Sequence, residues 1–146
     1  MKILITSDTH GRLDRIEQVR QKHRDIDYHI DAGDLGINPH HLERFHIITV
    51  KGNNDFFSTA PYERVLDFTT LKIYLTHGHK EHVKFGYGRL IQKAEAVGAD
   101  LVVFGHTHQT FYKQENKMII INPGAIGDYQ GSYALYENGQ ITFHKL

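Results

Sequence analysis

The sequence predicts an α/β fold with two mixed sheets, and three observations carry that expectation. The first half alternates short apolar runs with amphipathic stretches; two β-rich runs near the middle lie only a few residues apart; and beyond His108 every remaining run reads as a strand. Several early runs also stop abruptly at Asp, Asn or His, which is the end of a strand where open α/β sheets place their ligands.

The elements follow in order. Lys2 to Ser7 is the first expected strand. Leu13 to His23 sets Leu13, Ile16 and Val19 or Arg20 at three- and four-residue spacing with charges between, the pattern of an amphipathic helix. Tyr28 to Ala32 is the second strand, Pro39 to Phe45 a short helix begun by its proline, and Ile47 to Val50 the third strand. A βαβαβ beginning implies parallel pairing with right-handed crossovers. Arg64 to Phe68 and Leu71 to Thr76 are too close for a crossover and form a hairpin, so the sheet becomes mixed. Gly88 to Val97 places Leu90, Ile91, Ala94 and Val97 on one helical face and ends at Gly98, a helix-stop glycine; strand Leu101 to Phe104 follows. Thr110 to Gln114, Met118 to Ile121, Tyr133 to Tyr136 and Ile141 to His144 then read as a β-meander, with turns at Glu115-Asn116 and Asn138-Gly139. A length of 146 residues is about one domain, and no linker, repeat or low-complexity segment divides it. Residues 1–146 are therefore expected as a single domain, two sheets packed as a sandwich and flanked by helices.

Composition excludes several function classes. Seventeen basic residues balance seventeen acidic ones, so no global basic field gathers nucleic acid or an anionic membrane. Cysteine is absent, which removes disulfides, thiolate ligands and thiol nucleophiles together. The N-terminal run meets Asp8 too soon for a signal-peptide core, and no apolar stretch approaches the roughly 20 residues of a membrane helix. A soluble, cytoplasmic protein is the expectation. Twelve histidines are the compositional oddity, mostly neutral at pH 7 and so available as ligands.

The polar clusters at the strand ends are Asp8-Thr-His10, Gly33-Asp34, Gly52-Asn53-Asn54-Asp55, His77-Gly-His79 and Gly105-His-Thr-His108. Singly, Asp8-Thr-His10, Gly33-Asp34 and Gly52-Asn53-Asn54-Asp55 are most simply turns, the last because Gly and Asn tolerate positive φ, and a His-x-His loop suggests metal only moderately. Five independent turns would not all choose ligand types at the same end of five strands, so one metal centre is the economical explanation. Asp8 and His10, like His106 and His108, stand two apart, and an extended segment would project both side chains from one face. Carboxylate, imidazole and amide oxygen without thiolate suit Mn, Fe, Co, Ni, Zn or Mg.

The ordered series D-x-H, G-D, G-N-x-D, H-G and G-H-x-H resembles the calcineurin-like metallophosphoesterase superfamily, over nearly the whole chain from Lys2 to about Ile141. Short length, Asn122-Pro123-Gly124 and the late hairpin strands make it similar to the small bacterial and archaeal phosphodiesterases of that group. The resemblance implies an α/β/β/α sandwich and two divalent ions, manganese foremost. It further implies that Asp8, His10 and His108 hold one ion, that Asn53, His77 and His106 hold the other, and that Asp34 bridges them. Two divalent ions against two carboxylates leave about two positive charges for a hydroxide and a phosphate oxygen. A bridging hydroxide would then attack phosphorus in line, with no protein nucleophile.

The chain departs from the family's pattern in two places. Where many relatives read G-N-H-[DE], with a histidine thought to protonate the leaving group, this chain has Asn54, whose amide hydrogen-bonds but exchanges no proton near pH 7. His79 is the candidate substitute acid, with a solvated or supporting loop histidine as its plain alternative; Asp55 either orients Asn54 or caps the turn. After Asn122-Pro123-Gly124 the chain has Ala125 in place of a serine, and no arginine between Ile126 and Ser132, so a phosphate contact there is not carried over. His23, His29, His40, His41, His46, His82 and His144 match no ligand motif and read as surface or satisfied polar groups.

The expected function is hydrolysis of a small phosphoester, a diester before a monoester. The alternative is a non-catalytic scaffold like the retromer scaffold subunit, which shares the fold; retention of every motif ligand speaks against it. A histidine-rich metal-binding protein without turnover is a third reading. Tyr129, Tyr133 and Tyr136 either line a homo-oligomer interface or pack in the core.

Overall fold

A computed structural model describes residues 1–146. The first half contains β1 (Lys2–Thr6), α1 (Leu13–Lys22), β2 (Tyr28–Asp31), α2 (Pro39–Leu42) with a 3₁₀ turn at Glu43–Phe45, and β3 (Ile48–Thr49). Then come β4 (Glu63–Asp67), β5 (Lys72–Thr76), a 3₁₀ turn at Val83–Phe85, α3 (Gly88–Ala96), β6 (Leu101–Val103), β7 (Thr110–Glu115), β8 (Met118–Pro123), β9 (Ser132–Glu137) and β10 (Gln140–Lys145). Two five-stranded mixed sheets result, ordered β10-β9-β1-β2-β3 and β4-β5-β6-β8-β7.

Period-2 alternation along the strands sets the layers. Ile3 and Ile5 of β1 join Ile73 and Leu75 of β5 and Leu101 and Val103 of β6 in a fully buried core between the sheets. Leu4 points the other way, onto Ile16 and Val19 of α1. Tyr74 and Val102 likewise turn from the second sheet to Leu90 and Ala94 of α3. The order is helix, sheet, sheet, helix. Strands buried on both faces need near-continuous apolar runs, which KILIT, KIYLT and LVV supply.

Strand and helix positions match the sequence reading to within a residue or two, and Gly98 ends α3 at φ +70°. The expected β-meander is corrected. β7 and β8 form a hairpin in the second sheet, while β9 and β10 form another in the first, with β9 antiparallel to β1. The reason is burial: β8 and β9 are too apolar for one run of edge strands, and each takes an interior place in a different sheet. Residues 124–131 carry the chain between them. Tyr133 is fully buried with its hydroxyl 2.9 Å from His23 Nε2, and Tyr136 packs on the inter-sheet core, so only Tyr129 of the three tyrosines is open to solvent. No helix is long and apolar enough to cross a membrane.

Candidate metal centre

The loops after β1, β2, β3, β5 and β6 meet at one end of the sandwich, laced by their own backbones. Asp8 N–H donates to Gly33 O at 3.0 Å, His10 N–H to Asp34 O at 3.0 Å, and Gly105 N–H to His77 O at 3.0 Å. Two bonds then tie one sheet's loops to the other's: His106 N–H donates to Asp8 Oδ2 at 3.0 Å, and His77 Nδ1 to Ala32 O at 2.7 Å. A carbonyl only accepts, so His77 carries its proton on Nδ1 and turns Nε2 inward.

Backbone strain concentrates here. Asp8, His10, Asp34, His106 and His108 all have positive φ, between 48° and 71°. Such residues cost free energy and persist where surrounding structure holds them, which is characteristic of functional sites. This also corrects the expectation that Asp8 and His10, or His106 and His108, project from one face of an extended segment. Left-handed turns, rather than strand alternation, aim these pairs. The Gly52–Asp55 turn, by contrast, uses no positive φ. Gly52 is required for a different reason: a Cβ there would lie 2.0 Å from Asp34 Oδ1, and one on Gly105 would lie 2.0 Å from Ser7 Oγ and 2.8 Å from Asp8 Oδ2.

Asp8 sits at the middle. Its Oδ2 accepts from Ser7 Oγ at 2.6 Å and from His106 N–H, while Oδ1 is buried with no hydrogen-bond partner. Around Oδ1 stand His108 Nε2 at 3.3 Å, His10 Nε2 at 3.5 Å and His77 Nε2 at 3.9 Å. Asp34 Oδ2 lies 3.4 Å from His77 Nε2 and 3.8 Å from His10 Nε2, between the two histidines. Asn53 Oδ1 lies 2.9 Å from His77 Nε2 and 3.2 Å from His106 Nδ1. The ligand atoms of Asp8, His10 and His108 all lie within 4.8 Å of one another, as do those of Asp8, Asp34 and His77. All seven residues singled out as ligands thus turn donor atoms into one space, and a buried carboxylate oxygen left unpaired there fits a cation.

Electrostatics agree. Burial would raise the Asp8 carboxyl, but the facing imidazoles of His10, His108 and His77, with the Ser7 hydroxyl, hold it well below the usual carboxylate range. Burial acts likewise on Asp34, where His77 and Asn54 win and hold it at about 2. Both carboxylates are therefore ionised at neutral pH. His108 rises to about 9 because its ring faces the Asp8 carboxylate, with Asp128 adding to the effect, whereas burial and the neighbouring His77 draw His106 down to about 4.

Asn54 stands at the rim and donates twice to Asp34, from its N–H to Oδ1 at 2.8 Å and from its amide to Oδ2 at 3.0 Å. Asp55 does not orient Asn54. Its carboxylate accepts the N–H groups of Asp34 at 2.7 Å, Gly52 at 2.8 Å and Gly36 at 3.3 Å, clamping two loops together. His79 is half-buried beside His77, ring centroids 5.4 Å apart, and 6.1 Å from the His106 ring; its Nδ1 is buried without a partner.

Several supporting residues escaped the sequence reading, and Asn122 was legible only as part of a tight turn supporting the site. Asp128 Oδ1 lies 3.0 Å from His108 Nδ1. Arg15 of α1 holds that loop through the carbonyls of Ile126, Asp128 and Tyr129. Asn122 donates to Gly105 O and Thr107 Oγ1, both at 3.0 Å, and so braces the His106–His108 turn. Asp31, buried beneath Asp34, accepts Thr6 Oγ1 at 2.7 Å and Gly33 N–H at 2.8 Å. Their sequence signals are single polar residues in apolar runs or distant loops, with no spacing to connect them to the ligands.

A four-layer sandwich whose strand ends converge Asp, Asn and His on one buried point has the donor set of a metalloprotein for hard or borderline divalent ions. Residues 1–139 match the calcineurin-like phosphoesterase superfamily domain, and the chain belongs to that family. Among curated relatives it is 33% identical over 127 residues to the probable metallophosphoesterase YsnB of Bacillus subtilis, covering 86% of this chain and 75% of that one. It is 28% identical over 174 residues to the phosphodiesterase YfcE of Escherichia coli, covering 97% and 90%. Of solved structures, a predicted phosphoesterase from Streptococcus pneumoniae superposes with TM-score 0.85 at 25% identity, over 99% of this chain and 97% of that one. Vps29 from Entamoeba histolytica has the same fold, TM-score 0.81 at 20% identity over 100% and 98%.

Proposed function

We propose that the chain is a binuclear-metal phosphodiesterase acting on a small phosphodiester. The observation that carries this reading is the unpaired, buried Oδ1 of Asp8 within 3.9 Å of three imidazole nitrogens, with Asp34, Asn53 and His106 completing a second set of donors beside it. Asp8, His10 and His108 would hold one ion, Asn53, His77 and His106 the other, and Asp34 both, with manganese the first candidate. Divalent ions bound there supply Lewis acidity and a water acidic enough to be deprotonated near neutral pH.

The chain's own residues do the rest. Asn54, at the rim, donates to a phosphate oxygen with the amide that now rests on Asp34. Burial lowers the pKa of His79, so at pH 7 its ring is neutral and as the substitute acid it turns an N–H, a weak proton donor, to the leaving oxygen. Neither group is a standing acid, so esters with acidic alcohols should react fastest. Plotting rate against leaving-group pKa tests this point: a steep dependence is expected, and a flat one with fully active His79→Ala would refute it.

The enzymatic reading is tested by stripping the protein with EDTA, then assaying a chromogenic diester and monoester with added Mn²⁺, Ni²⁺, Zn²⁺ or Mg²⁺. Hydrolysis that returns with metal and favours the diester is expected. A protein that binds ions and hydrolyses neither ester with any metal would instead belong with binding or scaffold proteins of this fold.

A further inference from the structure

Beside the ligand cluster lies a cleft of about 640 Å³ whose lining is chemically unlike it. Ile37, Leu42, Ile47 and Val50 form its walls, and Phe56 and Phe57, in the loop directly after Asn54, stand at its edge. No lysine or arginine lines it, and of its two carboxylates Asp55 is occupied by three backbone N–H groups, leaving Glu43. The cleft is therefore unsuited to a second phosphate or to a polyanion.

Cleft and cluster share walls. Asn54 lines the cleft while donating to both oxygens of Asp34. Gly36 lines it too, and a Cβ built there would sit 3.0 Å from Gly11 N and 3.5 Å from His10 Cα. The two phenylalanines are 77% and 96% exposed, next to one another and next to the candidate site. Side chains of that size in the open contribute nothing to this chain's own core, and they retain the free energy that an apolar group would gain by covering them.

Resting on the phosphodiesterase reading of the neighbouring cluster, we infer that the cleft formed by Ile37, Leu42, Ile47, Phe56 and Phe57 binds an uncharged apolar or aryl ester group of the substrate. The substrate class is then a phosphodiester with at least one such group, its single negative charge at the ligand cluster and its apolar arm against the phenylalanines. A cleft of this volume, within the range of small-molecule sites, holds a ring with a short chain. Asn54, at the boundary, is placed to distinguish the charged end from the apolar one.

The test is binding by calorimetry to manganese-loaded protein, using dimethyl phosphate and methyl phenyl phosphate. Both carry one negative charge, and because phenoxide leaves more readily than methoxide, the phenyl ester is assayed for hydrolysis over the course of each titration so that binding is read apart from turnover. The phenyl ester is expected to bind roughly tenfold or more tightly, the discrimination a few buried carbons typically give. Phe56→Ala and Phe57→Ala, at exposed positions where truncation leaves the fold intact, should each shrink that ratio while leaving dimethyl phosphate affinity unchanged. Equal affinities in the wild-type protein, or a ratio that neither variant alters, would overturn the inference. So would a concentration-dependent dimer dissolved by Phe57→Ala, which would make the cleft a contact between copies. A protein with the expected ratio but no hydrolysis of any diester loses the enzymatic reading and keeps the cleft; one that hydrolyses diesters with a ratio of one does the reverse.

Discussion

The two sheets arrive at the candidate centre with unlike chemistry. The loops after β1, β2 and β3 bring both carboxylates, Asp8 and Asp34, the amide of Asn53 and one imidazole, His10; the loops after β5 and β6 bring imidazoles alone, His77, His106 and His108. The first half carries the negative charge, on the two buried carboxylates; the second is neutral or cationic. Neither half is a complete site, so donors converge only when the sheets are docked. Ion binding and sheet docking are therefore linked, and any ion that binds only the folded state stabilises the sandwich by mass action.

The strongest way to break the comparison is to remove the residue both halves touch. Asp8→Ala deletes the oxygen faced by His10, His77 and His108. Loss of a residue that merely supports a ligand typically costs 10- to 100-fold, so this change should lower metal affinity and diester hydrolysis by more than ~10²-fold, measured by calorimetry and by steady-state rates.

Next is the close approach within the anionic half. Gly52→Ala should displace Asp34 and lower hydrolysis by roughly 10- to 100-fold, the range seen when a ligand's support is lost. Gly88→Ala is the control: nothing lies within 4 Å of a Cβ there, and it sits at the start of α3. Thermal melts should show Gly88→Ala neutral to slightly stabilising, by up to about 1 kcal/mol.

On the imidazole side, Asp128→Asn removes the carboxylate that orients His108 at 3.0 Å and helps raise its pKa. Metal affinity should fall by ~10- to 100-fold with the fold intact, read by competition with a chelating dye.

The smallest effect concerns pH. Burial raises Asp31 to about 7, against hydrogen bonds from Thr6 and Gly33. Folded protein then keeps a proton that the unfolded chain releases above ~3.9, so the contribution of Asp31 is full below that pH and is lost as pH rises toward 7. Denaturant melts across pH 4–7 should show the stability of the wild-type protein falling relative to Asp31→Asn as pH rises; parallel profiles would show that Asp31 stays ionised.

The same comparison explains what was legible in the sequence. Strands such as KILIT and LVV are buried on both faces and announce themselves, and their terminal Asp, Asn and His clusters can be recognised as one set. The sorting of β8 and β9 into different sheets could not be read, because two apolar hairpins look alike until something decides which sheet each completes. Nor could the left-handed conformations at Asp8, His10, His106 and His108, since none of these residues is itself a glycine. Asp128 and Arg15 act across 20 to 114 residues of sequence, and local spacing is blind to that; Asn122 was visible in its turn, but its bonds to Gly105 and Thr107 were not. Asp55 was visible as part of a motif, but its grip on three backbone N–H groups needed coordinates.

The central claim is that both sheets' donors act together on two ions. Manganese titrated into EDTA-stripped protein, with bound metal per chain measured alongside diester hydrolysis, tests it directly. Hydrolysis should rise with occupancy and reach its plateau at two ions per chain. Full activity at one ion per chain, or two ions bound with no hydrolysis, would contradict it.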